Sequence, residues 1–70
     1  MYHTTETLTR KIIEGANGNE VSVKRADGAV FTVRHIDAMR YFVRDTRQEH
    51  APGTGYALSM AEVFDRISAQ

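Results

Sequence analysis

The sequence predicts a small α+β fold, namely a helix, a two-stranded antiparallel β-hairpin and two further helices (αββαα), assembled as a dimer. Three observations predict it. Ala26-Asp27-Gly28 separates two runs of alternating apolar residues, Asp37 precedes an apolar stripe at helical spacing, and Ser59 with Glu62 forms a capping box ahead of a second stripe.

The first helix is expected from about Thr5 to Glu14, with Leu8, Ile12 and Ile13 turned inward and Glu6 paired to Arg10 at i,i+4. Gly15 stops it, and Asn17-Gly18-Asn19 turns the chain. For the hairpin, two turn registers make opposite predictions about which side chains share a face. A two-residue Asp27-Gly28 turn pairs Lys24 with Phe31 and Val23 with Thr32, mixing polar and apolar positions. A three-residue Ala26-Asp27-Gly28 loop, with left-handed Gly28, pairs Val23 with Phe31 and Val21 with Val33. Its other face then aligns Ser22 with Thr32 and Glu20 with Arg34. The second register sorts the faces and is the expected one, with His35 on the inner face beside Val33.

Asp37 reads as the N-cap of a second helix reaching about Glu49, with Ile36 and Tyr41 as its staple. Met39, Phe42, Val43 and Thr46 form the buried stripe, and Arg40, Arg44 and Arg47 lie along another face. His50-Ala51-Pro52-Gly53-Thr54-Gly55 breaks this helix and reads as a flexible connector, with Tyr56 anchoring it on the core. In the third helix Leu58 and Val63 complete a staple, Met60, Val63, Phe64 and Ile67 face inward, and Glu62 pairs with Arg66.

Residues 1–70 read as one small domain, since no repeat, low-complexity tract or linker divides them. A chain of this length buries only about 60% of its unfolded surface. With no Cys, neither a disulfide nor a thiolate metal cage can add support. A second copy is the remaining source, and the unpaired edge of a two-stranded hairpin offers it a place to bind. No apolar run approaches the roughly 20 residues of a membrane span, and the N-terminus lacks the pattern of a signal peptide. The expectation is a cytoplasmic protein without membrane contact.

Nine Lys and Arg balance nine Asp and Glu, which argues against a polyanion mimic and against a strongly basic coat for nucleic acid. The distribution is uneven. Residues 24–47 hold Lys24, Arg25, Arg34, Arg40, Arg44 and Arg47 against Asp27, Asp37 and Asp45.

His3, His35 and His50 fall in a tail, a strand end and a helix end, so no nucleophile–base pair is legible and no catalytic residue is assigned. An enzyme would need a partner's carboxylate beside His35. No His-x-x-x-His or clustered carboxylate spacing suggests a metal, and Gly53-Thr54-Gly55 lacks the strand before it and the Lys-Ser/Thr after it that a phosphate loop requires. No cofactor is expected.

The arginines carry the functional expectation, because a guanidinium forks onto carboxylate or phosphate. Arg34, Arg40, Arg44, Arg47 and Thr32 are the candidate partner-binding residues. The sequence thus predicts a non-enzymatic protein-binding module acting by stoichiometric contact, as adaptor or inhibitor of a larger protein or ribonucleoprotein complex. In size and composition it is similar to accessory proteins of phages and plasmids, including inhibitors of bacterial defence systems. The alternative is a small dimeric DNA-binding regulator. Residues 29–69, read as strand, helix, loop, helix, resemble the ribbon-helix-helix repressors, which would make Thr32 and Arg34 base readers on the outer strand face, beside the arginine helix. The extra preceding strand, the long interhelical loop and the zero net charge depart from that pattern.

Overall fold

Alternation of side chains organises four segments of the chain into one antiparallel sheet, in a computed structural model that describes residues 2–47 and 53–68. The elements run α1 (Arg10–Gly15), β1 (Val21–Lys24), β2 (Val30–Asp37), β3 (Arg40–Asp45), β4 (Gly55–Ala57) and α2 (Met60–Ser68). Neighbours in sequence are neighbours in the sheet, β1-β2-β3-β4. The expected αββαα order is therefore corrected: a four-stranded meander with two helices replaces a two-stranded hairpin with three.

The β1–β2 hairpin has the three-residue loop. Val21 pairs with Val33, Ser22 with Thr32 and Val23 with Phe31. Arg25 N–H donates to Ala29 C=O at 2.7 Å, Gly28 N–H donates to Arg25 C=O at 2.9 Å, and Gly28 sits at φ 93°. This is a type I turn closed by a left-handed residue, a position at which glycine avoids the Cβ clash.

The second expected helix is a strand. In Arg40-Tyr41-Phe42-Val43-Arg44-Asp45, residues 41, 43 and 45 are buried while Arg40 and Arg44 are exposed and Phe42 is half-buried. That is a period of two, carried by aromatic and β-branched residues suited to a pleated surface. Asp37 caps a tight turn instead of a helix. Its Oδ1 accepts Met39 N–H at 2.9 Å, and its Oδ2 accepts Arg40 Nε at 2.9 Å. Met39 and Thr46, expected in a buried stripe, are exposed. The strand, helix, loop, helix order behind the likeness to ribbon-helix-helix repressors is thereby lost.

The first helix is shorter than expected because Thr4 and Thr7 bind each other's backbone N–H groups, at 2.9 and 3.2 Å, and hold residues 5–7 in a turn. Thr9 becomes the N-cap, accepting Ile12 N–H at 3.2 Å. Leu8 before the cap and Ile13 after it are both buried. The expected Glu6–Arg10 pair gives way to Arg10–Glu14 at 2.7 Å.

Helix α2 starts as expected. Ser59 Oγ accepts Glu62 N–H at 3.3 Å, while Glu62 Oε2 reaches back to Leu58 N–H at 3.0 Å. Leu58 is 60% exposed, so the staple with Val63 does not form. Arg66 passes over Glu62 and binds strand carbonyls instead.

Both helices lie on one sheet face, α1 against β2 and α2 against β3 and β4. Ile13, Val63 and Ile67 close there over Val21, Val23, Phe31, Val33, Tyr41, Val43 and Ala57. Burying each large apolar side chain contributes about 1.5–3 kcal/mol. Gly53, ahead of β4, is close-packed: a Cβ there would stand 2.5 Å from Arg66 O and 2.6 Å from Phe31 Cε2. Residues 50–52 of the expected connector lie outside the described ones, as do residues 48 and 49 of the expected second helix.

The hairpin edges that suggested a dimer are occupied within the chain. β3 pairs with β2, and His3 bridges the outer side of β1, its N–H donating to Ser22 C=O at 2.9 Å and its C=O accepting Lys24 N–H at 2.8 Å. β4, three residues long, is the last strand on the other side. No helix among the described residues is long and apolar enough to cross a membrane.

Candidate functional site

The sheet face opposite the helices carries the charge. Three rows cross it in register. Arg34, Phe42 and Tyr56 form one, Ser22, Thr32 and Arg44 the next, and Lys24 with Val30 the third. Neighbouring strands lie about 4.8 Å apart and same-face residues about 6.7 Å apart along a strand, so Arg34 and Arg44 both flank Phe42. Lys24, Arg34 and Arg44 are exposed, and no carboxylate occupies any of these eight positions. None of the three forms an ion pair among the described residues, whereas Arg10, Arg25, Arg40 and Arg47 all do.

Aromatic rings stand among these cations. Tyr56 is 56% exposed, with its ring edge-on to Phe42 at 5.2 Å between centroids. Arg40 lies over the Tyr56 ring at 5.9 Å, and Lys24 over the Tyr2 ring at 5.9 Å. Tyr2 is as exposed as Tyr56. Tyr56 thus belongs to the surface, not to the core as its loop setting suggested.

The five candidate residues divide. Thr32, Arg34 and Arg44 meet on the open face, with Thr32 forming its floor at 8% exposure. Arg40 sits at the turn end of β3, bound to Asp37 at 2.8 Å; the Met39 N–H, the larger cause, and Arg40 both lower the Asp37 carboxyl. Arg47 lies apart from the other four, since it follows the strand and holds the buried Asp45 carboxylate at 2.6 Å. The helical arginine stripe is dissolved, because Arg40 and Arg44 share a face through strand periodicity and Arg47 does not. Lys24, Phe42, Tyr56 and Tyr2 are the residues that the sequence reading left out of the candidate set. Alternation from Arg40 to Asp45 was the available signal for Phe42.

On the covered side, His35 lies beside Tyr41 at 5.3 Å between rings, and its Nε2 is buried without a hydrogen-bond partner among the described residues. Tyr41 Oη donates to Glu14 Oε1 at 3.3 Å. The Arg10 hydrogen bond lowers the Glu14 carboxyl, and burial raises the Tyr41 phenol. This places a carboxylate of the same chain on the His35 side of the sheet. No group of three metal-binding side chains gathers among the described residues.

No family model, curated protein or solved structure matches the chain.

Proposed function

We propose that the protein is a non-catalytic binding module, acting in the cytoplasm by stoichiometric contact with a larger protein or ribonucleoprotein, and that the open sheet face makes the contact. One observation carries this reading: Lys24, Arg34 and Arg44 lie together on an uncovered face without carboxylate partners among the described residues. Guanidinium groups without an internal ion pair meet carboxylate or phosphate without first breaking one, at about 0.5–1.5 kcal/mol of side-chain freedom each. A rigid sheet fixes their spacing, and the helices behind it have already buried the apolar face.

The test is affinity capture with the wild-type chain, the Arg34→Glu/Arg44→Glu variant and a Lys11→Glu control, Lys11 being exposed on α1. Each sample is weighed by light scattering and probed after nuclease treatment. A saturable complex formed by the wild type and the control but lost in the double variant supports the reading. A complex that survives the double charge reversal sinks it.

A further inference from the structure

We propose that the occupant of the open face is a single-stranded nucleic acid, whose bases stack on Tyr56 and Tyr2 and whose phosphates meet Lys24, Arg34 and Arg44. This rests on the reading of that face as the contact surface and names what binds there.

Charge alone would suit an acidic peptide as well. The rings decide between them. Sequence-independent recognition of single strands combines a cationic track with exposed aromatic side chains, because every base offers a π-face to stack upon. Both elements occur here, and they alternate in space. Tyr56, packed edge-on against Phe42, stands at the β4 side with Arg34 and Arg44 flanking that pair. Tyr2 stands at the β1 side with Lys24 over its ring. Between them lies the low floor of Ser22, Thr32 and Val30, small side chains over which a strand can pass.

Tyr56 is 56% exposed beside Phe42, and a base stacking on its ring takes the surface that Arg40, 5.9 Å from the ring centroid, does not cover. A run of carboxylates would meet the cations but has no π-face to set on the two rings, which are more than half exposed. Duplex nucleic acid fits poorly too, since its bases are already stacked on one another. Zero net charge over the whole chain is compatible with this, because the three cations are gathered on one face while the helices and turns carry most of the carboxylates.

Three phosphate contacts give a modest, salt-dependent affinity. For single strands the logarithm of the binding constant falls by about 0.7 per contact for each tenfold rise in salt, so binding drops about 20-fold between 50 and 200 mM.

The experiment is fluorescence anisotropy of labelled 12-nucleotide oligo-U, oligo-dT and a DNA duplex of equal length, with a poly-glutamate peptide as the acidic-protein probe. Single strands should bind better than duplex and peptide at 50 mM salt. Tyr56→Ala should weaken binding about tenfold, and Tyr2→Ala by a similar factor. Arg34→Ala and Arg44→Ala should each lower the salt slope by about 0.7, while Lys11→Glu leaves it unchanged. Equal binding to duplex, or a Tyr56→Ala variant with wild-type affinity and an unchanged circular dichroism spectrum, overturns the proposal. If capture through Arg34 and Arg44 survives nuclease while no oligonucleotide binds, the nucleic acid is wrong and the contact face stands. If oligonucleotides bind but the Arg34→Glu/Arg44→Glu variant binds them equally, the face itself is wrong.

Discussion

The carboxylate of Asp45 and the guanidinium of Arg47 meet as a two-pronged pair, Nε donating to Oδ1 at 3.0 Å and Nη2 to Oδ2 at 2.6 Å. The Arg47 backbone N–H adds a third bond to Oδ1 at 3.0 Å. The Asp45 side chain is fully buried and that of Arg47 half exposed, so the arginine brings charge compensation inward from the surface. Asp45 is also the inner-face residue of β3 opposite Phe31, at the point where the strand ends.

Removing the arginine therefore leaves a buried carboxylate with its backbone donor and the more distant charge of Arg25. Arg47→Ala should cost about 2 kcal/mol, within the range for hydrogen bonds to charged groups. Arg40→Ala, which breaks the exposed pair with Asp37, should cost under about 1 kcal/mol. Urea denaturation midpoints of both variants measure the contrast. Equal losses would mean that Asp45 finds compensation elsewhere.

The same pair predicts an acid limb. The Arg47 hydrogen bond, the largest cause, lowers the Asp45 carboxyl in the folded chain below its unfolded value near 3.9. Between the two values the unfolded chain binds more protons, so stability falls as pH falls. The contribution is complete above about pH 4–5 and is lost as pH drops through the folded value. Asp27, Asp37 and Glu14 are lowered as well and act in the same direction, but they are more exposed. Asp45→Asn should flatten the decline of the urea midpoint between pH 5 and pH 2 more than Asp37→Asn does.

Where a local rule and the tertiary structure agreed, the sequence was readable. The β1–β2 register followed from sorting apolar and polar faces, and the Ser59–Glu62 cap from side chains that satisfy helix N–H groups locally. Residues 39–46 failed because Met39, Phe42, Val43 and Thr46 also fit a helical stripe, while Tyr41, Val43 and Asp45 fit a strand only if a buried aspartate is allowed. Arg47 makes that aspartate tolerable, a compensation the pattern does not display. The site was half legible for the same reason. Thr32 and Arg34 were placed on the outer face by the correct register, but Phe42 and Tyr56 could join them only once β3 and β4 were strands.

Glycine substitutions separate a close-packed position from an open one. On Gly53, the added Cβ would meet Arg66 O and Phe31 Cε2 well inside contact distance, and neither atom is the end of a flexible chain. Gly53→Ala should cost at least about 1–3 kcal/mol through overpacking. Gly15 lies within α1 with nothing inside 4 Å of its would-be Cβ, so Gly15→Ala should stabilise by about 0.5–1 kcal/mol. Thermal midpoints moving in opposite directions are the expected outcome. A neutral Gly53→Ala would show that the segment before β4 can shift without loss.

Arg66 links the helix layer to the strand that carries Tyr56. Its Nε donates to Tyr56 O at 2.8 Å and its Nη1 to Thr54 O at 3.2 Å, while its guanidinium fills the space where a Gly55 Cβ would stand. With β4 only three residues long, these two charged bonds add to its short ladder with β3. Arg66→Leu keeps apolar packing on α2 but removes both donors. Backbone amides of residues 55–57 should then exchange with solvent about tenfold faster or more, equivalent to a local loss of ~1.4 kcal/mol, while β1 and β2 keep their protection. Opening β4 also withdraws the Tyr56 ring from Phe42. Oligonucleotide affinity should fall with it, although Arg66 itself emanates from the covered side of the sheet. Unchanged exchange at residues 55–57, read by NMR at constant pH, would show that pairing with β3 alone suffices to hold the strand.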